Sequence, residues 1–108
     1  MIQEVVEFQP PISGIVFLML GAVWCKPCQQ MHPFVEELSG IYSDILFLYA
    51  DAEKSPAIIK KYQIMSLPTV LLFQDRVLAK KTVGYRNNTE IKKMLEDAML
   101  KVKEGRII

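Results

Sequence analysis

Cys25 and Cys28 are the only two cysteines in this chain of 108 residues, and they sit in AVWCKPCQQMHP, residues 22–33, with the only tryptophan, Trp24. Cysteines at this spacing serve three kinds of chemistry: half of a metal site, a structural staple, or a dithiol that exchanges with other disulfides. A closed zinc or iron–sulfur site takes four ligands. Two Cys and the single His, His32, are on offer, so a metal would require a dimer that shares its cysteines. A staple fits poorly with a compartment that keeps thiols reduced. A further reading is a non-catalytic binding module whose cysteines are inert.

Exchange chemistry needs a thiolate, because the thiolate is the nucleophile. Residues 14–20, GIVFLML, form a short apolar run rich in branched residues and read as a buried strand. Cys25 follows that strand and opens a helix, since Cys28, Met31, Val35, Leu38 and Tyr42 keep helical spacing over 28–42. The first turn of a helix presents unpaired N–H groups and a partial positive charge, which favour a thiolate over a thiol. Cys28, one turn later, is close enough to attack a mixed disulfide formed at Cys25. Pro27 lies in the first turn, where its missing donor is no loss. Lys26 adds a cation beside the thiolate. Pro33 is expected to kink the helix. His32 reads as a solvent-facing helix residue.

The other elements must position this pair. ILFLYAD (45–51) reads as a second buried strand, and SPAIIKKY (55–62) as a short helix with Ser55 at the N-cap and Pro56 at the first helical position. PTVLLF (68–73) and VLAKKTV (77–83) flank the polar turn QDR and read as an antiparallel hairpin, its second strand half exposed. Asn87 and Glu90 suit a capping-box start to a last helix. Its apolar face is Ile91, Met94, Leu95, Ala98 and Val102, with Lys101, Lys103 and Arg106 near its negative end. Residues 1–13 fit strand and helix equally. Met19, Met31, Met65, Met94 and Met99 read as core filler. The order strand, helix, strand, helix, strand, strand, helix predicts an α/β fold in one domain, 1–108, with helices on both faces of a mixed central sheet.

Charge is balanced, 13 Lys and Arg against 12 Asp and Glu. Neither nucleic acid nor an anionic membrane is an expected partner. No apolar run approaches the ~20 residues of a membrane helix. The start, MIQEVVEFQPP, lacks the basic and apolar regions of a secretory signal. A cytoplasmic monomer is the expectation.

WCKPC, SLPT at 66–69, Pro33 and Gly84 recur in an order and at spacings that resemble the thioredoxin family, over residues 15 to about 100. The resemblance implies a thiol–disulfide oxidoreductase that reduces protein disulfides through Cys25 and Cys28. It implies a cis proline at Pro68, facing the cysteines. It also implies a substrate groove across Trp24, Pro27, Leu67, Pro68, Gly84 and Tyr85. No cofactor beyond the Cys25–Cys28 pair is expected, and the implied partners are disulfide-containing proteins and a flavoprotein thioredoxin reductase. Two features depart from the family. Only 24 residues precede Cys25, so an N-terminal element is expected to be shortened or missing. Members also bury an Asp six positions before the first Cys, near a Lys on the neighbouring strand. Met19 and Tyr49 stand at those two places.

Overall fold

A computed structural model describes residues 1–105, with side chains described through Leu100. Val102, Lys101, Lys103 and Arg106, assigned above to the last helix, lie outside the described side chains. Five strands form one sheet: β1 (Gln3–Glu4), β2 (Ile15–Gly21), β3 (Ile45–Asp51), β4 (Thr69–Gln74) and β5 (Val77–Val83). The helices are α1 (Lys26–Ile41), α2 (Pro56–Lys61) and α3 (Asn88–Gly105). The sheet order is β1-β3-β2-β4-β5, with β3 parallel to β1 and β2, and β4 antiparallel to β2 and β5. The N-terminal element is indeed short. β1 is two residues long, and among the described residues no helix separates it from β2.

β2 is the central strand and is buried along its whole length. That is why its sequence is continuously apolar rather than alternating. Its residues divide between two cores by strand periodicity. Phe17 and Met19 join Phe47, Val70, Met31, Val35, Leu38, Ile91 and Leu95 on the face covered by α1 and α3. Val16, Leu18 and Leu20 join Leu48, Leu71, Phe73 and Ile58 on the face covered by α2.

The helix starts obey the capping rules unevenly. At α3, Asn87 Oδ1 accepts the Glu90 N–H at 2.9 Å, and Glu90 Oε1 accepts the Asn87 N–H at 3.1 Å, a complete capping box. At α2, Ser55 makes no such bond; its hydroxyl is buried without a partner. Pro33 lies inside α1, which continues through it as one helix.

The β4–β5 turn has Asp75 and Arg76 both at positive φ, 48° and 76°, the geometry that matches strand twist in two-residue hairpins. The same Asp75 clamps the start of β2. Its carboxylate accepts the Gly14 N–H at 2.8 Å, and its own N–H donates to the Gly14 carbonyl at 3.0 Å. β5 is an edge strand, and a register irregularity at Leu72/Phe73 interrupts its pairing with β4. It is more exposed than half: only Thr82 is buried. Two methionines also depart from their expected place in the core. Met65 is 92% exposed, and Met99 is on the surface side of α3.

Candidate active site

The carboxyl end of β2 runs directly into the cysteine segment. Ala22 accepts the Cys25 N–H at 3.1 Å, which turns the chain into α1. Cys25 is the N-cap, with extended backbone (φ −85°, ψ 105°), and its sulfur accepts the Cys28 N–H at 3.3 Å. A helix N-terminus therefore aims an N–H at one sulfur, Sγ of Cys25, and that favours negative charge there. Cys25 and Cys28 are joined as a disulfide with their Cα atoms 5.3 Å apart. Both are almost fully buried, at 5% and 3% exposure. Lys26 and Pro27 occupy the first two helical positions and are exposed. Trp24, immediately before Cys25, is 66% exposed and so belongs to the surface rather than the core.

β4 starts beside the end of β2, since Thr69 pairs with Leu20. The segment before β4 therefore arrives at the same end of the sheet as the cysteines. Leu67–Pro68 is a cis peptide bond, Pro68 is buried, and Leu67 is half-buried between the two cores. Gly84 follows β5 at φ 99° and donates its N–H to the Pro68 carbonyl at 2.8 Å. A side chain at that φ would be strained. Tyr85 is partly exposed and meets Phe34 of α1 edge-on, with ring centroids 6.5 Å apart. The fold thus gathers Trp24, Pro27, Leu67, Pro68, Gly84 and Tyr85 at one end of the sheet. Among the described residues no three His, Cys, Asp or Glu side chains come together as a metal site.

The structure brings Tyr49 and His32 beside Cys28, with Met19 in the same core cluster. Met19 is fully buried and pairs across the sheet with Tyr49. Tyr49 is half-buried, and its ring lies over Gly21. A Cβ added at Gly21 would meet the Tyr49 ring and hydroxyl at 3.1 Å and the Cys28 Cβ at 3.2 Å. Burial, with the negative charges of Asp51 and Glu4, holds the Tyr49 phenol above its ordinary value, so it is protonated at neutral pH. His32 is half-buried and packs edge-on against Tyr49, with ring centroids 5.5 Å apart, rather than facing solvent. Asp51, two residues beyond Tyr49, is a buried carboxylate that accepts the Glu53 N–H at 2.9 Å. The alternation of β3 puts Tyr49 and Asp51 on one face, which is the sequence signal that could have drawn Asp51 in.

Gly21→Ala follows as a steric test. The new methyl would press on the Tyr49 ring and on Cys28 from a strand that cannot retreat. The expected loss of stability is about 1–3 kcal/mol, read as a lower denaturant midpoint at unchanged slope. An unchanged midpoint would mean that the ring swings freely off the site.

The family model described as Thioredoxin matches residues 4–97. The chain belongs to the thioredoxin family. It is 36% identical to a thioredoxin of Staphylococcus epidermidis over 87 residues, covering 78% of this chain and 82% of the relative. A Staphylococcus aureus thioredoxin is 34% identical over the same shares. The oxidised form of mitochondrial thioredoxin 3 from Saccharomyces cerevisiae superposes with a TM-score of 0.81 at 30% identity, covering 89% of this chain and 94% of that one. The thioredoxin fold and the paired cysteines make the chain a dithiol thiol–disulfide oxidoreductase.

Proposed function

We propose that Cys25 is the attacking thiolate and Cys28 the resolving thiol of a protein-disulfide reductase. The observation that carries this assignment is the Cys28 N–H on the Cys25 sulfur at the start of α1. Cys25 attacks a substrate disulfide and expels one substrate thiolate. Cys28 then attacks Cys25, expels the second thiolate, and leaves the Cys25–Cys28 disulfide. The substrate backbone lies across Trp24, Pro27, Leu67, Pro68, Gly84 and Tyr85, with the Leu67 backbone pairing in strand fashion. Lys26 supports the thiolate electrostatically. The work needs no cofactor. Disulfide-containing proteins are the substrates, and a flavoprotein thioredoxin reductase restores the dithiol. The protein acts as a single-domain monomer in the cytoplasm. Among the described residues no helix is long and apolar enough to cross a membrane.

Limiting iodoacetamide at neutral pH tests the assignment. The reduced protein should carry the label on Cys25 by mass spectrometry, because alkylation follows thiolate content. Label on Cys28 first would reverse the two roles.

A further inference from the structure

A cleft of about 190 Å³ lies against Cys28, lined by Ala22, Val23, Cys28, Gln29, His32 and Tyr49. Liquid water takes about 30 Å³ per molecule, so several fit. His32 follows Cys28 by one helical turn, and side chains four apart are neighbours on a helix surface. The Tyr49 ring packs against the imidazole and passes over Gly21 toward Cys28. Among the described residues, the ionisable side chains lining the cleft besides Cys28 are an imidazole and a phenol.

We propose that His32 accepts the Cys28 proton through water in this cleft when Cys28 resolves the mixed disulfide, and that Tyr49 positions the imidazole. The proposal rests on the reading of Cys28 as the resolving thiol. In the step, the Cys28 S–H proton passes to the His32 imidazole. The Cys28 sulfur then bonds to the Cys25 sulfur as the bond from Cys25 to the substrate sulfur breaks. The substrate leaves as a thiolate with the electron pair of that bond, and the imidazolium returns its proton to solvent. The substrate disulfide is the oxidant, and it gains two electrons over the whole cycle.

The competing bases are placed less well. Met19, fully buried in the core, offers no base. Asp51 is buried, but it engages the Glu53 N–H and does not line the cleft. Lys26 is exposed on the first turn and does not line it either. Tyr49 is held protonated, which makes its hydroxyl a donor. Facing the imidazole are Tyr49 from β3, with Asp51 behind it on the same strand and Glu4 acting on it from β1. From α1 itself come Cys28 and the exposed Glu36.

The resolving step should therefore depend on His32, and the attack by Cys25 should not. Reduced protein is mixed with an excess of a chromogenic aryl disulfide. The first equivalent of coloured thiolate reports attack by Cys25, and the second reports resolution. The wild-type second phase should accelerate through one inflection as the pH rises. His32→Gln should slow it by about 10²-fold at neutral pH, the low end for a positioned acid–base group. It should also abolish the inflection and leave the first phase unchanged. Free imidazole should restore the rate in His32→Ala. Tyr49→Phe should keep the inflection with a smaller loss of rate. A folded His32→Gln protein with the wild-type pH profile would overturn the proposal, as would loss of the inflection in Tyr49→Phe alone. A wild-type protein with no second phase would instead refute the resolving role of Cys28.

Discussion

Cys28→Ser should accumulate its substrates as mixed disulfides on Cys25, while Cys25→Ser should capture none. A serine hydroxyl at position 28 cannot displace the substrate thiol, so the reaction halts after the first exchange. A serine at position 25 removes the nucleophile that receives the Cys28 N–H, and nothing starts. Steady-state reduction of a protein disulfide such as that of insulin should fall in both variants, by at least about 10³-fold in Cys25→Ser, the scale seen on deleting an enzyme's nucleophile. Non-reducing electrophoresis with mass spectrometry of the captured adducts separates the two variants. Adducts on Cys25→Ser and none on Cys28→Ser would exchange the assigned roles.

Met19→Asp should leave the protein both less stable and more reducing. Met19 is fully buried in the same core cluster as both cysteines. Replacing it removes packed apolar surface and inserts a carboxyl with no cation opposite, since Tyr49 is its cross-strand neighbour. The expected loss is about 3–5 kcal/mol, against less than about 1.5 kcal/mol for the volume-conserving Met19→Leu. Burial raises the folded-state pKa of the new carboxyl above its unfolded value of about 3.9. The ionisation penalty is therefore absent below pH ~4 and grows as pH rises toward the folded value. Denaturant titrations at pH 4 and pH 7 should show the gap from wild type widening at pH 7. The ionised fraction opposes a thiolate nearby, which disfavours the dithiol form and lowers the reduction potential. About 30 mV corresponds to ~1.4 kcal/mol for this two-electron couple, and equilibration with glutathione measures it. An unchanged or higher potential in a folded variant would reduce the Met19/Tyr49 pair to core packing.

The strands and the cysteine turn were legible because their signals are local. The branched run of β2, the Asn87–Glu90 box and the order of elements each survive in the structure. What failed to show was the side of each element that faces a neighbour. Met65 looks like core material by residue type, yet it sits two residues before Leu67 in the loop that leads into β4, where it is exposed. His32 looks solvent-facing on the helix alone, and only the approach of β3 reveals that Tyr49 covers it. β5 carries a strand-like pattern, but its apolar Val77, Leu78 and Val83 are exposed because the sheet ends there. Sheet order is a long-range property, and no window of sequence contains it.

That terminal position of β5 has a bearing on the protein's behaviour in a crowded solution. A bare outer strand invites other chains to add on, the route to aggregation. Here one margin is reduced to the two residues of β1, too brief a template to recruit a foreign strand. The opposite margin carries Lys80 and Lys81 in mid-strand and the irregularity at Leu72/Phe73, both of which discourage a flat match. Both devices keep the free margins from being extended by a foreign strand. Removing the two lysines, as in Lys80→Val with Lys81→Val, would leave a run of apolar residues along a free margin, and self-association would compete with exchange.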